Sequence, residues 1–182
     1  MSYRGEMLLF NEAFVADKDY ERFITTKFPE RKIAILTCMD TRLTELLPAA
    51  LNLRNGDAKI IKNAGGVISH AFGSVMRSLL VCIYELGVNE IFVIGHHDCG
   101  MQNIDRASMT EKMLRRGVRK EDLELIKYFN IDMNEWLKGF HYPFESVRET
   151  LKTIKMYPLV PEDVQCSGYL MDPETGRLEI VE

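Results

Sequence analysis

The sequence predicts an α/β fold: a central, mostly parallel β-sheet flanked by helices, with an N-terminal helical arm and a C-terminal β-hairpin. Three observations carry this. Residues 32–37 (KIAILT), 58–62 (AKIIK) and 90–95 (EIFVIG) are short apolar runs, as expected of strands buried in a parallel sheet. Residues 69–86 place Phe72, Met76, Leu79, Ile83 and Leu86 at helical spacing, with Gly87 where a C-cap belongs. The links are short, so strand and helix alternate as in βαβ units.

Taken in chain order, residues 7–26 read as one or two helices with Leu8, Leu9, Phe14, Tyr20 and Phe23 as apolar anchors. They form part of an arm, residues 1–30, that suits packing on a neighbouring subunit. Pro29 and Glu30 punctuate before the first strand, and residues 44–51 make a short helix before the second. After Gly100 the chain becomes mainly helical, over residues 108–116, 120–128, 132–140 and 143–156, with Trp136 as a core or interface anchor. Residues 164–171 and 178–181, joined by a turn at Asp172-Pro173-Glu174-Thr175-Gly176, form the hairpin. No repeat, linker or low-complexity tract breaks the chain. One domain over residues 1–182 is the expectation, since 182 residues support one sizeable core more readily than two.

Composition excludes several functions. With 46% hydrophobic and 27% charged residues the chain is that of a globular protein without a membrane-crossing run. The first ten residues lack a signal-peptide layout, so a cytoplasmic location is expected. A net charge of −4 argues against nucleic acid as a partner. The basic stretch 112–120 is diluted by acidic neighbours and reads as a solvated helical face. Four cysteines without an export signal or a CxxC pair point to thiolate chemistry or burial rather than disulfides.

Two segments gather chemistry where strands stop. Cys38-Met39-Asp40-Thr41-Arg42 follows the first strand, and alternate side chains of extended backbone converge, bringing Cys38, Asp40 and Arg42 to one space. Gly95-His96-His97-Asp98-Cys99-Gly100 follows the third strand, where the His–x–x–Cys spacing lets an imidazole and a thiolate reach one ion. Both lie at the carboxyl edge of the predicted sheet, where open α/β folds bind ligands. Two thiolates and an imidazole suit zinc, one per chain, and three protein ligands leave a fourth position for water or substrate. Such an ion lowers the pKa of bound water, and Asp40, held ionised by Arg42, is placed to accept its hydrogen bond. The chemistry this fits is addition of zinc-bound hydroxide to a small electrophile. Gly65 and Gly66, after the second strand, allow close backbone approach. They serve either as a tight turn or as amides binding a substrate oxyanion.

Taken together, Cys38–x–Asp40–x–Arg42, the Asn63-Ala64-Gly65-Gly66 loop and His96–x–x–Cys99-Gly100 resemble the pattern of the β-class carbonic anhydrases, in order and separation. The resemblance runs from about Arg31 to the terminal hairpin and is nearest to the family's short prokaryotic branch. It implies an α/β fold, zinc, a homodimer or dimer-based oligomer, and reversible hydration of carbon dioxide to bicarbonate. By position it makes Cys38, His96 and Cys99 the zinc ligands. Asp40 and Arg42 become a catalytic dyad whose Asp can itself ligate zinc in a closed state. Two other readings use the same residues: a zinc hydrolase of carbonyl sulfide or carbon disulfide, and a non-catalytic zinc-binding homologue. Nucleotide-dependent hydride transfer and zinc deamination drop out for want of GxGxxG and HxE…PCxxC.

The remaining candidates have plainer expectations. Cys82 and Cys166 are small hydrophobes. His70 and His141 are surface or cap residues, and His97 is a conceivable proton shuttle. Asp98 bonds backbone in its own turn or contacts the residues around the ligands.

Overall fold

The computed structural model describes residues 2–129 and 132–182. Five strands, β1 (Ile33–Cys38), β2 (Ala58–Asn63), β3 (Glu90–His96), β4 (Gln165–Met171) and β5 (Leu178–Ile180), form one sheet. Their order is β2-β1-β3-β4-β5. The first four run parallel, and β5 returns antiparallel to β4. All six residues of β1 are buried, which is why its sequence has no polar alternation. β2, at the edge, alternates between half-buried and exposed positions.

Helices cover both faces. α3 (Ser74–Leu86) brings Met76, Leu79 and Cys82, and α7 (Pro143–Lys155) brings Val147, Leu151 and Ile154, against Ala34, Ile91, Val93 and Leu170. On the other side α2 (Leu43–Ala50) seats Leu43 and Leu47 beside Ile35, Ile94 and Met171, in the cluster that also holds Cys38 and Cys99. α1 (Tyr3–Ala16) leads into a short 3₁₀ helix at Asp19–Phe23. The side chain of Asn55 donates to the Phe23 carbonyl (2.6 Å), fixing the root of this arm. α4 (Arg106–Arg115), α5 (Lys120–Leu125) and α6 (Met133–Trp136) lie between β3 and α7.

Several expectations shift. α3 begins at Ser74, not residue 69, because Gly73 is extended and the chain turns on His70, which accepts the Phe72 amide on Nδ1 and the Gly73 amide on its carbonyl. Phe72 is therefore off the helix and 83% exposed. The helix expected over 132–140 is one turn, and Trp136 is exposed in this chain rather than in its core. Residues 139–140 leave the helix to hydrogen-bond with Met101, Asn103 and Ile104. The hairpin's first strand is also the fourth parallel strand, in register with β3 over its whole length. No residue of α1 is buried, and Leu8, Leu9, Tyr20 and Phe23 are exposed. Among the described residues no helix is long and apolar enough to cross a membrane.

Candidate metal centre

From β1 the chain leaves through α2 to β2 on one side, while β3 lies on the other. The carboxyl ends of β1 and β3 thus flank the point where strand order reverses, the place open α/β sheets reserve for ligands. Cys38 is the last residue of β1 and His96 the last of β3. Cys99 follows after a turn in which Asp98 adopts left-handed backbone (φ 51°). Thr37 reinforces the junction by donating its buried hydroxyl to the Ile94 carbonyl at 2.8 Å.

The Sγ atoms of Cys38 and Cys99 and a ring nitrogen of His96 lie within 4.8 Å of one another, and all three residues are buried. The two sulfurs are 3.7 Å apart. Two thiolates bound at roughly 2.3 Å to one tetrahedral ion would lie about 3.8 Å apart, so the spacing fits. His96 Nδ1 faces the carbonyl of His97 at 2.8 Å, which places the proton on Nδ1 and a lone pair on Nε2. Among the described residues that Nε2 is the only buried side-chain nitrogen or oxygen without a hydrogen-bond partner. A buried, unpaired acceptor is costly unless something completes it, and an ion bound between these three residues would do so. The four cysteines are free thiols, as expected.

Electrostatics agree. Contact with Cys99 is the largest influence holding the Cys38 thiol far below its usual range, against the opposing effect of burial. The neighbouring His96 ring and hydrogen bonds from the backbone amides of Asp40 and Gly65 add to it. Cys99 is pushed up correspondingly, because two thiolates this close resist sharing a buried site without a cation. Burial works against a charged His96, yet the neighbouring Cys38 thiolate raises its pKa overall.

Asp40 and Arg42 stand beside this cluster. Arg42 grips Asp40 bidentately, Nε to Oδ1 at 3.1 Å and Nη2 to Oδ2 at 2.9 Å. Its backbone amide adds a third bond to Oδ1 at 2.9 Å. The Arg42 side chain holds the Asp40 carboxyl down at about 2. Asp40 Oδ2 lies 3.8 Å from His96 Nε2, so the carboxylate faces the cluster. Gly65 (φ 85°) and Gly66 (φ 66°) pack where a side chain would not fit. A Cβ on Gly66 would sit 3.0 Å from the Cys38 amide nitrogen, and one on Gly65 would meet the Phe140 ring. The Gly65 amide is turned to the Cys38 sulfur, so the pair's visible task is close approach to β1.

Sequence reasoning missed the apolar wall. Met101 and Phe140 border Gly65 and join the cluster of Cys38 and Cys99. Gln102 holds the turn, accepting the Cys99 amide (3.1 Å) and donating to the His141 carbonyl (3.2 Å). These contacts join segments some 40 residues apart, and no local pattern announces them. Asp98 contacts the dyad rather than its own turn, while His97 faces Glu179 of β5 at 3.3 Å. Neither His70 nor His141 belongs to the Cys38–His96–Cys99 group. His70 caps its own turn, and His141 pairs with Asn103.

A family profile described as carbonic anhydrase matches residues 33–178, from the start of β1 to the start of β5. The chain belongs to the β-carbonic anhydrase family. A Bacillus subtilis relative, YtiB, named provisionally as a carbonic anhydrase, is 51% identical over 100% of this chain and 97% of its own length. The crystal structure of β-carbonic anhydrase isoform I from Trichomonas vaginalis superposes with a TM-score of 0.90 at 36% identity, covering 100% of this chain and 98% of that one. A carbon disulfide hydrolase of Saccharolobus solfataricus is 31% identical over 82% of this chain and 76% of its own length. By family and fold this β-carbonic anhydrase family member is an enzyme of the carbonic anhydrase class.

Proposed function

We propose that this chain catalyses the zinc-dependent reversible hydration of carbon dioxide to bicarbonate, in one domain spanning residues 1–182. The observation that carries this is the unpaired, buried Nε2 of His96, set between two close thiol sulfurs and a carboxylate already committed to an arginine. Cys38, His96 and Cys99 would hold the zinc ion. When bound, zinc supplies a Lewis acid that makes hydroxide available near neutral pH.

The chain's residues do the rest. The His97 carbonyl fixes the imidazole tautomer so that Nε2 offers its lone pair. Amides of Asp40 and Gly65 share the charge of the Cys38 sulfur. Asp40, ionised throughout the neutral range, accepts a hydrogen bond from water and orients it; it is never the proton donor there. Arg42 spends its fork on Asp40, which keeps the carboxylate from serving as a fourth ligand. Met101 and Phe140 offer a small apolar surface suited to an uncharged triatomic substrate.

Stopped-flow measurement of carbon dioxide hydration with fully zinc-loaded protein tests the reading. Acceleration at alkaline pH is expected, and its absence overturns it. Hydrolysis of carbon disulfide is the second reading, favoured by the Saccharolobus solfataricus relative. Sulfide release from carbon disulfide, without carbon dioxide hydration, would establish it instead. The non-catalytic reading predicts bound zinc and neither activity. The reading further includes a homodimer or dimer-based oligomer in the cytoplasm, acting on a small molecule without nucleic acid or membrane. The arm supports the oligomer, since its Met7, Leu8, Leu9 and Phe10 all stand exposed.

A further inference from the structure

The geometry points to Asp98 as a positioning residue that ties the Arg42 guanidinium to the ligand-bearing turn and so keeps the Asp40 carboxylate off the metal position. Arg42 and Asp40 sit two residues apart on one segment, and their mutual grip alone does not say where the pair stands relative to His96 and Cys99. Asp98 supplies that reference. It lies between those two ligands and meets the outer edge of the same guanidinium twice. Arg42 Nη1 donates to Asp98 Oδ2 at 3.0 Å, and Nη2 donates to the Asp98 carbonyl at 2.8 Å. Nη2 therefore bridges the two segments, holding Asp40 Oδ2 on one side and the Asp98 carbonyl on the other.

Backbone conformation makes the second contact possible. Asp98 is in the left-handed region (φ 51°), which asparagine and aspartate enter more readily than other non-glycine residues. The carboxylate is 86% exposed and engages in no core packing, so its placement against Arg42 is not a by-product of burial. Released from Asp98, Arg42 could swing toward solvent with Asp40 still gripped, or leave Asp40 free to turn its Oδ2 into the space beside His96 Nε2, now 3.8 Å away. Asp98 removes both options.

This rests on the metal-dependent reading above, and the experiment separates the two. Protein loaded with cobalt(II), its stoichiometry measured by elemental analysis, is titrated with azide while the visible ligand-field spectrum is followed. Azide reports whether the fourth position is open. Asp98→Gly keeps the left-handed backbone and the carbonyl but removes the carboxylate. It is expected to weaken azide binding about threefold to fivefold, the range of one exposed ion pair. Asp98→Asn retains an acceptor and the same backbone tolerance, and is expected to restore affinity to within twofold of wild type. In the metal-free protein, the Arg42 Nε–H resonance is expected to exchange faster with water in Asp98→Gly than in wild type. Unchanged azide affinity in Asp98→Gly overturns the proposal. So does an equal weakening in a background already carrying Asp40→Asn, since the effect must pass through Asp40. If wild type binds no cobalt, the metal reading falls and takes Asp98's role with it. If it binds cobalt but hydrates no carbon dioxide, the proposed reaction falls while the azide comparison still decides Asp98.

Discussion

At the scale of single residues, the centre combines groups that are each unfavourable alone: two close thiols, an unpaired buried imidazole nitrogen and an ionised carboxylate. Removing a ligand should therefore remove metal and activity together. Cys38→Ser and His96→Ala are expected to lose bound zinc by elemental analysis and carbon dioxide hydration by stopped flow, with far-ultraviolet circular dichroism unchanged. Asp40→Asn should behave differently. It keeps the ligand set but weakens the acceptor, so zinc content stays stoichiometric while turnover near pH 7 falls about 10²-fold. Wild-type turnover in that variant would remove Asp40 from the mechanism. The ligand residue types and spacings were legible in the sequence, because each lies beside the end of an apolar run. Asp98 was legible only as a choice between two partners. Its partner Arg42 is 56 residues away, and no local pattern reports such a contact.

At the scale of elements, the seat of α7 depends on two strand glycines. A Cβ on Gly95 of β3 would come within 2.6 Å of Val147, and one on Gly168 of β4 would strike Leu151. Gly95→Val is accordingly expected to cost about 1–3 kcal/mol by overpacking, measured as a lower urea midpoint with little change in slope. The terminal hairpin carries a pH signature. Asp172 Oδ1 accepts the amides of Thr175 (2.9 Å) and Glu174 (2.8 Å), and these bonds, Thr175's foremost, lower its pKa. A carboxyl with a depressed folded pKa stabilises above its unfolded value and loses that contribution as pH falls through the folded one. Asp172 should thus titrate below ordinary aspartates by carbon-13 NMR, with the Thr175 amide exchanging faster once it is protonated. The strands and long helices showed in the sequence through hydrophobic period. The parallel partnership of β4 with β3 did not, because it joins residues as distant in sequence as Glu90 and Gln165, with α4, α5, α6 and α7 between the strands. The irregular backbone ahead of α3 was hidden because Phe72 mimics helical spacing while a turn on His70 sets the local geometry.

For the whole molecule, the arm poses the clearest question. α1 buries none of its residues, although Met7, Leu8, Leu9, Phe10 and Val15 are all exposed, an arrangement that costs solubility unless another surface covers it. Deleting residues 1–28 is expected to convert a dimer to a monomer in light scattering coupled to size exclusion. A dimer that survives the deletion would place its interface elsewhere.

The neighbouring carboxyl ends of β1 and β3 also carry a thermodynamic consequence. Cys38 and Cys99 lie 61 residues apart in the chain, and between them run α2, β2, α3 and the whole of β3. An ion held by both closes that span into a single loop, as a cross-link would, restricting the unfolded ensemble wherever the link persists. Where unfolding breaks the link, ion binding adds directly to folding free energy. The centre is then a clasp on the architecture as well as a site of chemistry. Stripping the ion would be felt as far away as β2, at the edge of the sheet.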